Sequence, residues 1–372
     1  MGAARQDAGT ASLSLTLLPA GQGDSILIEY GPPLAPRRVL VDGGPARSYG
    51  RIFEKLAAIE PPLRHLDLLV MTHVDADHIE GVIKLVNDAD LALEIAEVWF
   101  NGYQQLPPDD ELGPAQGEIL SALLERRGIP HNRAFSSAAV ERQRGRPLPR
   151  VELPGGLTLT VLAPDDITLR ALRQVWQKEC RAAGIAPGST RDALELLAAS
   201  RRLSPEDSYL GGIDVDALAA QPEGGEDGSV TNASSIVLLA EFGGRGVLLA
   251  GDSTPAVLAA GVERLLAERN LPVLDVAAFK LPHHGSRYNV TRDVLELVRS
   301  PIYLVSTDSK YFRHPDAAAI ARVITHGPAG SRIVFNYRTD ITGVWSDPFL
   351  MARHSYLAEY PDSAAEGICV AI

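Results

Sequence analysis

One short stretch of the chain concentrates side chains that bind metal ions. Its ligand-type residues are His73, Asp75, Asp77 and His78. The stretch follows the apolar segment Leu68–Met71, which predicts a buried strand ending in polar side chains. Open α/β sheets keep their sites at the carboxyl ends of strands. Imidazole nitrogens with carboxylate oxygens suit zinc, manganese or iron, and the aspartates favour harder ions. The alternative is a polar loop whose aspartates cap a helix.

Three later clusters carry similar side chains where further strands are predicted to end. Asp252 follows an apolar run and either caps a turn or bridges two ions through its two oxygens. His283 and His284 are adjacent, so we expect one to bind an ion while the other positions a phosphate or a water. His314 precedes a helix predicted to begin at Pro315, where it either flanks the helix start or presents its imidazole to substrate or metal.

Strands and helices alternate around these clusters, which indicates an α/β fold. The predicted strands are Leu13–Leu18, Ser25–Tyr30, Val39–Val41, Asp67–Met71, Glu97–Phe100, Leu157–Leu162, Ser235–Phe242, Val247–Ala250, Asp275–Leu281, Ile302–Ser306 and Arg332–Phe335. The predicted helices are Arg51–Ile59, Ile79–Val86, Ala115–Arg127, Ile167–Ala183, Arg191–Arg202, Pro255–Glu268, Thr291–Arg299 and Pro315–Ile324. Loops are predicted at Leu106–Pro114 and Gln221–Gly228. The glycine turns at Gly21–Asp24 and Asp42–Gly44 are read as tight turns, with Asp42 alternatively supporting a metal ligand.

Composition narrows the class of protein. The 372 residues suffice for one large or two ordinary domains. The net charge of -12 argues against a protein that coats nucleic acid, but it does not exclude a nuclease. Cys180 and Cys369 match no metal or redox spacing. No apolar run approaches the ~20 residues that span a bilayer, and we expect a cytoplasmic protein without a membrane partner.

In this order the motifs resemble the metallo-β-lactamase fold, and within it the branch formed by the soluble domain of the competence DNA-uptake protein ComEC and its stand-alone relatives. The motifs that carry the resemblance are Gly21–Ser25, Val41–Gly44, Thr72–His78, Asn232–Ser235, Leu249–Asp252, Leu281–Ser286 and His314–Pro315. The resemblance implies a four-layer αββα sandwich with metals at one edge and an inserted, partly helical segment. We expect a single domain over residues 1–372, in which 101–228 is partly an insertion and 340–372 a C-terminal extension.

The resemblance also implies the residues of a site. The implied metal ligands are His73, Asp75, Asp77, His78, Asp252, His283 and His284. Asp75 stands where the wider superfamily has a histidine, which makes Mn²⁺ a rival to Zn²⁺. His131 is a weak candidate for a further ligand, so one or two ions fit equally. The predicted catalytic residues are Asp75, Asp77, His284 and His314, and the predicted substrate contacts are Asn232, Ser286, Arg126 and Arg127.

The predicted function is a metal-dependent hydrolase, and specifically a phosphodiesterase or nuclease that acts on DNA. Seven arginines between Arg126 and Arg150 form a local basic surface that either tracks a nucleic-acid backbone or is a solvated loop. Two alternatives stay open. One is a hydrolase of a small ester, lactone or lactam, and the other is a metal-bound, non-catalytic module that docks a protein partner through 101–228. The oligomeric state is not predicted.

Overall fold

The computed structural model of the chain describes residues 11–106, 115–183, 214–223 and 227–372, together with 186, 189–191, 193 and 225. Most of the loop predicted over 106–114 and most of the helix predicted over 191–202 lie outside the described residues.

The strands follow the predicted apolar runs closely. They are β1 (Ser12–Leu17), β2 (Ile26–Gly31), β3 (Arg37–Val41), β4 (His65–Leu66), β5 (Leu68–Val70), β6 (Glu94–Ile95), β7 (Val98–Trp99), β8 (Arg150–Glu152), β9 (Thr158–Ala163), β10 (Val237–Phe242), β11 (Arg245–Leu249), β12 (Leu274–Asp275), β13 (Ala278–Lys280), β14 (Val298–Arg299), β15 (Ile302–Val305), β16 (Ser331–Phe335), β17 (Tyr356–Glu359) and β18 (Ile368–Ala371).

The helices also lie near their predicted positions. They are α1 (Tyr49–Ala57), α2 (Ala76–Asn87), α3 (Ala115–Arg127), α4 (Asp166–Ala183), α5 (Val215–Ala219), α6 (Val230–Ala233), α7 (Pro255–Arg269), α8 (Arg292–Leu297), α9 (Ala317–His326) and α10 (Pro348–His354). The helix predicted to begin at Pro315 begins two residues later, with Asp316 at its N-cap.

Two predicted elements are divided in the structure. The strand predicted over Asp275–Leu281 is β12 followed by β13, because the chain changes its partner between them: Val276 N donates to Arg299 O, and Ala277 N donates to Gly246 O. The helix predicted over Thr291–Arg299 stops at Leu297, because the next two residues form β14, which pairs in parallel with β12.

Within the described residues the long strands form two mixed sheets. The first sheet has the order β18-β1-β2-β3-β5-β7, and the second has the order β17-β16-β15-β13-β11-β10-β9-β8. Strands β3, β5 and β7 are parallel, as are β11, β13, β15, β16 and β17. Because the parallel strands of each sheet run in the same direction, the loops that follow them leave from the same edge of that sheet.

Three apolar clusters define four layers. The central cluster holds alternate residues of both sheets, such as Leu15 and Val41 against Leu159 and Leu249, so the sheets pack face to face. A second cluster joins the other face of the first sheet to α1–α4. A third joins the other face of the second sheet to helices α7–α9. The predicted αββα sandwich is confirmed.

The segments predicted as a partial insertion and a C-terminal extension both add strands to the two sheets. In the 101–228 stretch, β8 and β9 belong to the second sheet, and α3 and α4 pack beside the first. In the 340–372 stretch, β17 pairs with β16 and β18 pairs with β1, so this segment adds an edge strand to each sheet. The division of the chain into domain, insertion and extension stays a prediction.

Across the described ranges, none of the helices combines the length and the apolar character that crossing a membrane requires.

Candidate metal centre

Loops from both sheets meet at one edge of the sandwich. In the first sheet this edge carries the β1–β2 turn and the loops after β3 and β5, and in the second the loops after β11, β13 and β15. Backbone hydrogen bonds join the two sheets at this edge: Ile236 N donates to Thr72 O at 2.9 Å, and Asp308 N donates to Gly21 O at 2.7 Å. Side chains from distant parts of the chain are thereby brought into one cluster.

Close backbone contacts hold these loops against α2. A Cβ on Gly23 would lie 1.7 Å from the carbonyl oxygen of Asp77, and a Cβ on Gly81 would lie 1.8 Å from that of Gly43. Only glycine permits approaches of this kind. The β1–β2 turn and the turn after β3 can therefore pack directly on the helix whose first turn carries Asp77 and His78.

Four overlapping groups of His and Asp side chains at this edge have ligand atoms that lie within 4.8 Å of one another. The groups are His73 with His78 and Asp252; Asp77 with His78 and His284; Asp24 with Asp252 and His284; and Asp24 with Asp42 and His78. Five of the seven predicted ligands are members: His73, Asp77, His78, Asp252 and His284. Asp24 and Asp42 were not among the predicted ligands.

Asp252 lies at the centre of this cluster. Its Oδ2 atom is 3.3 Å from His78 Nε2, 3.3 Å from His284 Nε2 and 4.0 Å from His73 Nε2. The Nε2 atoms of His78 and His284 are themselves 3.3 Å apart, and Asp77 Oδ2 lies 3.7 Å from His284 Nε2. A carboxylate in this position can reach ions on either side, as predicted for Asp252.

The orientation of His73 is set by Thr72 and Asp42. Thr72 Oγ1 donates its proton to Asp42 Oδ2 at 2.7 Å, so it can only accept from His73 Nδ1, which is 3.0 Å away. The His73 proton is therefore on Nδ1, and Nε2 carries a lone pair. Burial, with repulsion from His78, lowers the pKa of His73 to about 4 and keeps the ring neutral.

His78 and His284 are oriented in the same way. His78 Nδ1 lies 2.8 Å from Asp42 Oδ2, and His284 Nδ1 donates to the carbonyl oxygen of Ser306 at 2.9 Å. A histidine that donates from Nδ1 to a carboxylate or a backbone carbonyl presents Nε2 as a ligand. Three imidazoles thus direct Nε2 atoms toward one small volume.

The buried polar atoms of this volume fit a bound cation. His73 Nε2 and Asp252 Oδ1 are buried and have no hydrogen-bond partner among the described residues. Buried polar atoms are rarely left unpaired without a reason. In addition, two neutral Nε2 atoms 3.3 Å apart would direct lone pairs at each other, unless a proton or a metal ion lies between them. The donor set of imidazole nitrogens and carboxylate oxygens suits Zn²⁺ or Mn²⁺.

Asp252, His78 and His284 shift one another's pKa values in favour of their charged forms. Burial lowers the pKa of His284, but the carboxylates of Asp252 and Asp24 outweigh it and raise the pKa to about 10. Burial likewise opposes protonation of His78, whose pKa Asp252 and Asp42 raise well above its ordinary value. Burial raises the pKa of Asp252, and the neighbouring imidazoles of His284 and His78 more than reverse this. Without an ion, the site therefore holds protons where a cation would bind.

A buried ion pair lies on the Nδ1 side of the His284 ring. Lys280 Nζ lies 2.6 Å from Asp24 Oδ2 and donates to the carbonyl oxygen of Leu281 at 3.0 Å. Asp24 Oδ1 lies 3.3 Å from His284 Nδ1, and both Asp24 and Lys280 are almost fully buried. Burial raises the pKa of Asp24, but Lys280 and His284 hold it well below its ordinary value. Asp24 therefore contributes a negative charge next to the imidazole.

His283 points away from His284 and toward the insertion. Both residues have left-handed backbone angles, with φ of 47° and 54°, and their rings are inclined at 72°. His283 Nδ1 lies 3.1 Å from Asp227 Oδ2, and the amides of Asn232 and Asn289 donate to that same oxygen at 2.8 Å. The Nε2 atom of His283 is 3.9 Å from Asp252 Oδ2. His283 thus borders the cluster without being a member of the four groups.

The more exposed side of the cluster carries Asp75 and His314. Asp75 occupies the N-cap position of α2 but makes no capping hydrogen bond, which disfavours the purely structural alternative. Its side chain is 40% exposed, and Oδ2 lies 3.7 Å from His73 Nε2. The His314 ring packs 5.3 Å from the His283 ring, and its Nδ1 atom lies 3.4 Å from Asp316 Oδ2. Both predicted catalytic residues therefore lie beside the cluster.

The predicted substrate contacts are more scattered. Arg126 and Arg127, at the end of α3, contact Asn87 and Asp88, about 15 Å along α2 from its ligand-bearing first turn.

Two further residues from the prediction have roles within the protein. Ser286 is buried, and its Oγ accepts from the backbone N–H of Tyr288, so it offers no surface to a substrate in this structure. His131 pairs with Gln105 away from the cluster.

Three residues of this site were missed from the sequence. Asp24 was read as part of a turn, Asp227 as part of a polar loop, and Lys280 as one more residue of a strand. Lys280 offered a signal, because a lysine inside an otherwise apolar strand is buried only when it is paired. Asp24 and Asp227 offered none, because acidic residues in turns are common.

Comparison with known proteins shows which protein family the chain is similar to. Residues 18–162 match the family model described as Metallo-beta-lactamase superfamily, so this part of the chain is similar to that superfamily. The matched range includes Asp24, His73 and His78 but ends before Asp252 and the paired histidines. No curated protein matches the chain. Together with the αββα sandwich, this match defines a metallo-β-lactamase fold.

One similar solved structure is the metallo-beta-lactamase fold protein YhfI from Bacillus subtilis. It shares 8% identity with this chain at a TM-score of 0.39, and the alignment covers 98% of this chain and 100% of the other. A similarity of that strength supports no conclusion about this chain. The superfamily match and the four His/Asp groups together imply a metal-dependent hydrolase.

Proposed function

We propose that the chain is a phosphodiesterase that uses Zn²⁺ or Mn²⁺, and specifically a nuclease that cleaves DNA, of the ComEC-like branch. One observation carries this proposal: three oriented imidazoles and a central buried carboxylate converge from distant strands on one volume with unpaired buried atoms. His73, His78 and Asp252 would hold one ion. Asp77, His284 and the second oxygen of Asp252 would hold another where two bind.

The ion supplies acid–base and electrostatic chemistry that side chains alone do not. A bound divalent cation would lower the pKa of a coordinated water to about 7 and would stabilise negative charge on a phosphoryl group. The role of the protein is to keep the donors in place. Asp42 does so for two of them, because it accepts from Thr72, which orients His73, and contacts His78 directly.

Asp75 is our candidate for the general base. Burial raises its pKa although a hydrogen bond with Thr231 acts in the opposite direction, and a raised pKa suits a group that must take up a proton near neutral pH. Its Oδ2 atom would receive the proton of the attacking water. The alternative role, a ligand beside His73, is compatible with the distance of 3.7 Å.

His314 is our candidate for gripping the phosphate or protonating the leaving oxygen. Burial lowers its pKa, and the nearby Asp316 only partly restores it. A neutral imidazole keeps one N–H that can donate to a phosphate oxygen. The arginines of the 126–150 stretch would add a salt-dependent contact with the backbone of a longer substrate.

Incubation with nucleic acid and metal ions tests the proposal. Purified protein is given Mn²⁺, Zn²⁺ or Mg²⁺ with single-stranded DNA, duplex DNA or RNA, beside a chromogenic lactam. We expect cleavage of DNA that is abolished by Asp252→Ala. The matched control Asp216→Ala, on the exposed side of α5, should cleave like the parent protein.

Other results would redirect the assignment. Hydrolysis of the lactam without cleavage of nucleic acid would identify a small-molecule hydrolase. A different outcome would identify a non-catalytic module. In that case the protein binds metal but acts on neither substrate, and the Asp77→Ala variant keeps the biological effect of the parent protein.

A further inference from the structure

A pair of exposed aromatic side chains lies next to the candidate metal centre. Tyr311 is 50% exposed and Phe312 is 57% exposed. Their ring centroids are 5.1 Å apart, with the planes inclined at 68°. We call Tyr311 and Phe312 the aromatic surface. Large apolar side chains that are exposed together often mark a binding site.

The aromatic surface is connected to the metal centre by a series of rings. The Phe312 ring stacks on His314, with centroids 6.1 Å apart and an angle of 28° between the planes. His314 in turn packs against His283 at 5.3 Å, and His283 Nε2 lies 3.9 Å from Asp252 Oδ2. A molecule that stacks on the exposed face of Phe312 would therefore be connected to the candidate metal ligands through the rings of His314 and His283.

Cationic residues lie next to these rings. Lys310 and Arg313 flank the aromatic surface in the chain. A second basic and aromatic pair lies nearby: the Arg287 guanidinium lies 4.7 Å from the centre of the Tyr288 ring. The Arg287 backbone N–H donates to Asp316 Oδ2 at 2.8 Å, which connects this pair to the segment that carries His314.

The acidic groups of this region are engaged with partners. Asp308 lies 3.6 Å from Arg47 and accepts from the backbone N–H of Lys310. Asp316 accepts from the Arg287 backbone and lies 3.4 Å from His314. In a chain with a net charge of -12, this edge therefore places the exposed residue Lys310 beside exposed rings.

We infer that the aromatic surface binds a base of a single-stranded nucleic acid by stacking, while a phosphate further along the same strand lies at the metal centre. Exposed rings next to cationic residues match a strand that carries both bases and phosphates. A duplex keeps its bases stacked inside, so the inference also predicts a preference for single strands. This inference rests on the proposed nuclease function, and it adds how the substrate is held.

Binding without cleavage tests the stacking directly. Fluorescence anisotropy in the presence of a chelator compares a single-stranded DNA of about 10–15 nucleotides with an all-abasic strand of equal length and charge. The parent protein should bind the strand with bases about 5- to 10-fold more tightly, at the lower end of the range for one stacked base. Phe312→Ala should lose this preference, whereas Phe312→Trp should retain it.

The control variant is Phe349→Ala, because Phe349 is 85% exposed on α10. It should bind both strands like the parent protein.

The possible failures can be told apart. If the protein cleaves DNA but Phe312→Ala keeps the preference for bases, the stacking inference is wrong and the nuclease assignment stands. If the protein neither cleaves nor binds any strand, both fall. Phe312-dependent binding to anionic lipid vesicles, with no preference for bases, would overturn the inference in favour of a membrane surface.

Discussion

Replacing Lys280 by methionine should destabilise the protein strongly. Lys280 and Asp24 are 0% and 1% exposed, and their charged atoms are 2.6 Å apart. Methionine has a similar length, so it leaves little empty space, but it removes the positive charge. Asp24 would then keep only the imidazoles of His284 and His78 nearby, and the Nδ1 atoms of both rings already contact other acceptors, Ser306 and Asp42.

The size of the effect follows from the burial of the pair. Removing one partner of a buried ion pair typically costs about 3–5 kcal/mol, because the other charge stays buried without compensation. With a denaturant slope of about 3 kcal/mol/M, the urea midpoint should fall by about 1–1.7 M. The double variant Asp24→Asn/Lys280→Met should lose less than the sum of the two single variants, by at least about 2 kcal/mol.

Urea unfolding in the presence of a chelator measures these energies. Trp99, Trp176 and Trp345 are all buried, so their fluorescence reports the loss of both outer layers and the core. A midpoint shift that corresponds to less than about 1 kcal/mol for Lys280→Met would refute the reasoning, since that is the value of an exposed pair. Additive losses in the double variant would show that the two charges do not stabilise each other.

Three further predictions concern the metal centre. Asp42→Asn should weaken Mn²⁺ or Zn²⁺ binding about 10- to 100-fold, because Asp42 accepts from Thr72 N at Oδ1 and from Thr72 Oγ1 and His78 Nδ1 at Oδ2, whereas an amide accepts at only one of these positions. Calorimetry measures this, and an unchanged dissociation constant would contradict it. With a chelator present, the free energy of unfolding should fall as the pH rises from 6.5 to about 10, because the raised pKa of His284 stabilises the folded protein only while its ring is protonated. His284→Asn should flatten this dependence on pH. Asp227→Asn should reduce metal affinity about 10- to 100-fold if His283 is a ligand, whereas the exposed control Asp216→Asn should not, and equal effects of the two would exclude His283.

Much of the fold could be predicted from local patterns. Strands β1, β2, β5, β9 and β10 lie within one or two residues of their predicted ends, because apolar runs bounded by turns depend on a few neighbours in sequence. Helix α3 has the predicted bounds. The break between β12 and β13 could not be predicted, because it depends on a change of partner strand from β14 to β11.

The candidate site was predictable in part for a similar reason. His73, Asp77, His78, Asp252 and His284 each follow an apolar strand or begin a helix, so their place at a sheet edge could be read from sequence. The buried pair of Asp24 and Lys280 could not, because these residues are separated by most of the chain. Asp227 likewise reaches His283 from an insertion with no regular pattern.

The amino-acid sequence by itself determined which side chains are available to bind an ion and at which strand ends they occur. Only the tertiary structure decided which nitrogen of each imidazole is offered. That choice depends on single hydrogen bonds from His73, His78 and His284 to Thr72, Asp42 and Ser306. The bonds of His78 and His284 form when neighbouring strands of one sheet pair, and no local pattern encodes them.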